Sequence, residues 1–63
     1  MYTIDYLCPR ESPYWQKLTE GIIWKTPRQF ASFVSAANAC NGLLYLYHSA
    51  RVIDPTGRVV HQI

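Results

Sequence analysis

The sequence predicts an α+β domain, one helix packed on a small antiparallel sheet in the approximate order β-β-α-β-β. Three observations lead there. The first seven residues alternate in the manner of a half-buried strand, a capped and apolar-periodic stretch occupies the middle, and a strong turn signal divides two β-branched runs at the end.

Met1 to Leu7 places Tyr2, Ile4 and Tyr6 on one side and Thr3 and Asp5 on the other, so Tyr2, Ile4 and Tyr6 are the expected buried face. Pro9 and Pro13 then bracket Cys8 to Pro13, and each proline disfavours helix at the residue before it. That segment is read as a loop. Between Tyr14 and Lys25 the pattern is mixed. Trp15, Leu18, Ile22 and Ile23 could line a helix face, but Gly21 would weaken a helix by about 1 kcal/mol relative to alanine. The reading adopted is a short turn near Pro13 to Thr19 followed by a strand from Ile22 to Lys25.

Thr26-Pro27-Arg28-Gln29 has the form of a helix start, with a hydroxyl at the cap, proline at the first position and glutamine three residues after the cap. Phe30, Phe33, Val34, Ala37 and Cys40 or Asn41 repeat at helical spacing beyond it, and Asn41-Gly42 offers a left-handed stop. A helix from about Pro27 to Cys40 is expected, with Phe30, Phe33, Val34 and Ala37 against the sheet. Leu43 to Tyr47 has strand composition, and Ser49-Ala50 marks a bulge or break before Arg51 to Asp54. In Asp54-Pro55-Thr56-Gly57 the aspartate can bond the turn backbone, proline pre-sets a dihedral and glycine accepts a positive φ. The expected hairpin pairs Ile53 with Val59, Val52 with Val60, and Arg51 with His61.

The helix followed by Arg51-Val52-Ile53-Asp54-Pro55-Thr56-Gly57-Arg58-Val59-Val60 resembles a layout found in small uncharacterised bacterial and phage proteins. The similarity covers about the second half of the chain. Proteins of that kind are often host-takeover or regulatory products, and the resemblance implies that much and carries over no catalytic residue.

Composition narrows the function. Sixty-three residues, 49% of them apolar and 16% charged, make one small globular domain spanning 1–63 rather than a disordered tail. The longest apolar run, Leu43 to Tyr47, is far short of the ~20 residues of a membrane span. No basic, apolar and small-residue succession opens the sequence, so neither a secretory leader nor a membrane partner is expected, and a cytoplasmic setting is. Two cysteines, Cys8 and Cys40, cannot build a disulfide framework. With His48 and His61 they lack the paired spacing of a structural zinc site, so no metal or other cofactor is expected. Catalysis is not expected either. Ser49 and His48 are neighbours along a strand and point to opposite faces, Asp54 is committed to a turn, and Asp5, Glu11 and Glu20 form no paired constellation.

Binding remains. Nine aromatic residues exceed what so small a core hides, since each buries roughly 150–250 Å². Interfaces favour Trp, Tyr and Arg as anchors. The pairs Val52–Val60 and Ile53–Val59 would face opposite sides of the sheet, and one helix covers only one side. The candidate partner-binding residues are therefore Tyr14, Trp15, Lys17, Trp24, Arg51, Ile53, Arg58 and Val59. A regulatory or inhibitory protein docking on a larger host protein is the leading expectation. A nucleic-acid-binding accessory protein is the first alternative, because aromatic residues interleave with bases, although a net charge of +2 is small for that role. A structural homodimer is the second.

Overall fold

The computed structural model describes all 63 residues as one helix against a small antiparallel sheet. Strand β1 (Thr3–Leu7) pairs with β2 (Gln16–Lys17) on one side and β5 (Ser49–Ile53) on the other, and β5 pairs with β6 (Val59–Gln62), giving the order β2-β1-β5-β6. A separate two-stranded ribbon, β3 (Thr19–Glu20) with β4 (Thr26–Pro27), precedes helix α1 (Phe33–Gly42). The α+β class and the two terminal strand signals stand as expected.

The core is small. Ile4, Val52 and Ala50 from β1 and β5 meet Ala36 and Cys40 of α1, all fully buried, with Tyr2, Tyr6, Leu18, Phe30 and Leu43 packed around them. Small side chains at i and i+4 on the helix let it approach the sheet closely, and this geometry sets the inward face. Cys40 fills the role of a small apolar residue there, and burial pushes its thiol pKa up. Both cysteines are free.

The helix begins six residues later than the sequence predicts, and the reason is tertiary. Thr26 and Pro27 pair with Glu20 and Thr19. The Arg28 amide donates to the Leu18 carbonyl at 3.0 Å, and Phe30 exchanges two backbone bonds with Tyr2 at 2.8 and 2.9 Å. Backbone groups given to β pairing cannot start a helix. Ser32 takes the cap instead, its Oγ accepting from the Ser35 amide at 3.2 Å. The later start rotates the expected apolar face. Phe33 and Val34 are 40% and 66% exposed, Ala37 is half-buried, and Phe30 reaches the core from the bridge to Tyr2 rather than from the helix. Phe33 closes the core's edge, its ring 6.1 Å from Tyr2 and 6.2 Å from His61, both edge to face.

Five further expectations are corrected. Gly42 does not stop the helix in a left-handed conformation: its φ is −67°, and a 3₁₀ turn over Leu43–Tyr45 continues from it. Leu43 to Tyr47 is therefore not a strand, because the Leu43 carbonyl accepts from the amides of Leu46 and Tyr47 at 3.0 and 2.9 Å. Ile22 to Lys25 is not a strand but the tip of the β3–β4 ribbon, and the expected turn near Pro13 to Thr19 contains the short strand β2 and the first residue of β3. The C-terminal hairpin keeps Ile53 opposite Val59. A bulge then shifts the register, so Val52 faces His61 and Arg51 faces Gln62. The shift moves His61 to the helix side, where its Nε2 lies 2.7 Å from Asn41 Oδ1.

The hairpin turn satisfies itself. Asp54 Oδ1 accepts from Thr56 N at 2.9 Å, Thr56 Oγ1 at 2.7 Å and Arg58 N at 2.9 Å. Gly57 takes φ +91°, where a side chain would be strained. The Thr56 hydroxyl, followed by the Arg58 amide, holds the Asp54 carboxyl below the usual aspartate range.

Candidate partner-binding face

Alternation along β1 and β5 sends Ile4, Ala50 and Val52 to the helix and Thr3, Asp5, Arg51 and Ile53 to the opposite side. The register arranges that outer side in rows. Asp5 stands between Lys17 of β2 and Arg51 of β5, with Gln62 beyond on β6; Thr3, Ile53 and Val59 form the neighbouring row.

The polar row is an ion cluster built on one carboxylate. Lys17 Nζ lies 2.7 Å from Asp5 Oδ1, and the same ammonium donates to Thr3 Oγ1 at 3.2 Å. Arg51 brings Nε and Nη2 each to 3.4 Å from Asp5 Oδ2. The aspartate side chain is only 14% exposed. Oδ1 accepts no well-directed hydrogen bond, so charge rather than bond geometry compensates its burial. Two cations on one anion leave an excess of one positive charge.

Trp15 completes the site. The Arg51 guanidinium lies 4.2 Å from the centre of the indole ring, close enough for a cation–π contact. Asp5 thus fixes Arg51 from one direction and Trp15 from another. A planar guanidinium held on both sides presents its remaining donors without having to be ordered first.

Trp15, Lys17, Arg51, Ile53 and Val59 therefore belong to one side of the molecule. Tyr14 is exposed in the bend that leads to Trp15. Arg58 sits at the other hairpin's turn and Trp24 at the β3–β4 tip, so neither joins the row. Asp5, the centre of the cluster, was not among the residues expected from sequence. Its place on the non-core side was legible in the alternation of β1, but its two cross-strand partners depend on register. Ser49 Oγ donates to the Ile63 carbonyl at 2.7 Å, which commits the hydroxyl to tying down the C-terminus.

No family model, curated protein or solved structure matches the chain. No helix of the structure is long and apolar enough to cross a membrane.

Proposed function

We propose that this protein is a small non-catalytic binding module, of the regulatory or inhibitory kind, that docks on a larger protein through the outer side of its sheet. The observation that carries the reading is Arg51 clamped between Asp5 and Trp15 on a face the helix leaves open, beside the apolar row of Ile53 and Val59. Aromatic and Arg anchors next to aliphatic surface are the composition of interface hot spots. The chain also carries more surface than its size requires. It exposes 4552 Å², against about 4,200 Å² for a folded monomer of this mass.

The nucleic-acid reading has less behind it. Lys17 and Arg51 share Asp5, Arg28 lies 3.8 Å from Glu20, and the cations left over, Arg10, Lys25 and Arg58, sit on three different loops. That arrangement forms no basic stripe.

Trp15→Ala tests the proposal. It should weaken capture of the principal partner from a lysate of the source cell at least tenfold, read by quantitative mass spectrometry, while lowering stability by no more than about 1–2 kcal/mol for a half-buried ring. Unchanged capture by a folded variant would refute the outer-face assignment. Tight, steeply salt-dependent binding of the parent to single-stranded oligonucleotides would favour the nucleic-acid alternative.

A further inference from the structure

Eleven successive residues, Thr19 to Gln29, are all exposed. They form an excursion from the edge of β1. The chain leaves at Leu18, whose amide donates to Ile4 O at 2.8 Å, and returns at Phe30 opposite Tyr2; the Arg28–Leu18 bond closes the base. Its tip is Ile22-Ile23-Trp24, with exposures of 97%, 83% and 84%. The tip is a built turn. Gly21 has φ +105°, and a Cβ there would collide with the Trp24 carbonyl oxygen. None of these residues supports the core, and three bulky apolar side chains in water favour association.

The molecule has one cavity, an open cleft of about 340 Å³ lined by Cys8, Pro9, Arg10, Leu46 and His48. That volume lies within the range that accepts drug-sized ligands and is ample for an indole. Exposed Leu44 and Tyr45 lie in the segment leading to Leu46 and extend the apolar surface. Glu11, next to Arg10, is in no ion pair, and neither are Arg10 and Lys25.

We propose that two copies of the chain associate about a two-fold axis, the Ile22-Ile23-Trp24 tip of each entering the Cys8–His48 cleft of the other. Knob and cleft lie at opposite ends of β1: the excursion departs beside Tyr2 and Ile4, and the cleft opens just past Leu7. Two copies placed antiparallel therefore bring each tip to the other's cleft, and the contact closes rather than propagating. The charges match in the same arrangement. Lys25 meets Glu11 of the second copy, pairing two ions that are single within one chain, and Arg10 lies over the incoming Trp24 as Arg51 lies over Trp15. Two tips and two clefts together bury on the order of 1,000 Å² or more, the class of a specific interface. The tip and the cleft share no residue with the outer row of Trp15, Lys17, Arg51, Ile53 and Val59, so the dimer does not rest on the docking reading above.

The test is sedimentation of the full chain across micromolar concentrations, with thiol cross-linking. The parent should sediment at twice 7.3 kDa, and Trp24→Ser with Ile23→Ser, both at exposed positions, should weaken association at least tenfold while melting like the parent at concentrations dilute enough for both to be monomeric. Ile22→Cys should cross-link between copies through a short bismaleimide, and the cross-link should vanish when Cys8→Ser is added. A parent that is monomeric throughout, or a dimer that survives the double serine variant, would overturn the proposal. So would a cross-link that persists without Cys8, or a monomer that binds phosphatidylglycerol vesicles through the same tip, which would assign the tip to a lipid surface.

Discussion

The two sides of the sheet are built on the same strands and solve different problems. On the helix side Ile4, Ala50 and Val52 meet Ala36 and Cys40 with no polar group among them. On the other side the alternate residues of the same strands carry Asp5, Arg51 and Ile53, with Lys17 reaching in from β2 and a tryptophan on the guanidinium. Apolar burial on the first side holds the fold. The second side holds charges in fixed positions, which contributes less to stability and more to selectivity toward whatever meets it. Period-two alternation thus separates folding from recognition, residue by residue, within one strand.

The comparison breaks first at the inner side. Ile4→Ala should cost ~2–5 kcal/mol, because it empties a fully buried site at the centre of the sheet. A domain of this size has only ~5 kcal/mol to lose. A circular-dichroism melt should then show the variant largely unfolded at ambient temperature, and a melt near that of the parent would mean the core lies elsewhere.

The outer side should respond less. Asp5→Ala leaves Lys17 and Arg51 facing one another across an empty position and should cost ~1–3 kcal/mol. Restoring shape without charge, as Asp5→Asn, should recover only part of it. Full recovery by the asparagine variant, to the stability of the parent, would mean packing, not charge, holds the row together.

Below that comes a pH effect at the C-terminal hairpin. The folded state holds the Asp54 carboxyl below its usual range through Thr56 and Arg58. A group whose folded pKa is depressed adds stability above its unfolded value and loses it as pH falls through the folded value. The parent's melting temperature should therefore drop on acidification below about pH 4. Asp54→Asn should start lower and show a smaller drop. Identical pH slopes would remove the turn from the acid response.

The smallest expected difference is chemical rather than thermal. Half-buried Cys8 lines an open cleft, whereas Cys40 is fully buried with its thiol pKa raised by burial. Maleimide labelling of the native protein should stop at one thiol, and the second should react only at the rate of global opening. Two equally fast thiols would contradict the packing of α1.

Local chemistry was legible wherever the chain bonds to itself over a few residues. The Asp54 to Gly57 turn, the alternation of β1 and the placement of Cys40 inside all follow from near neighbours. The helix start failed for a complementary reason. Thr26-Pro27-Arg28-Gln29 is a sound cap in isolation, but its backbone pairs with Thr19, Glu20 and Leu18, and no local signal reveals those partners. The strand expected at Leu43 to Tyr47 failed because the helix ran on through Gly42. For the outer face, the sequence names Trp15, Lys17, Arg51, Ile53 and Val59 only as separate candidates. Their assembly around Asp5 was not legible, since a single residue of register decides it.

The Arg28–Leu18 bond at the base of the β3–β4 excursion also bears on how freely this protein can change. A loop whose ends are already joined contributes to the chain mainly through closure entropy, which grows by only ~0.6 kcal/mol for each doubling of length. Residues 22 to 25 can therefore be replaced, or the whole turn exchanged for another together with Gly21, at little thermodynamic cost to the body that carries them. Lineages can diverge at this tip while keeping one scaffold, and the same property makes it a natural place to graft a foreign sequence.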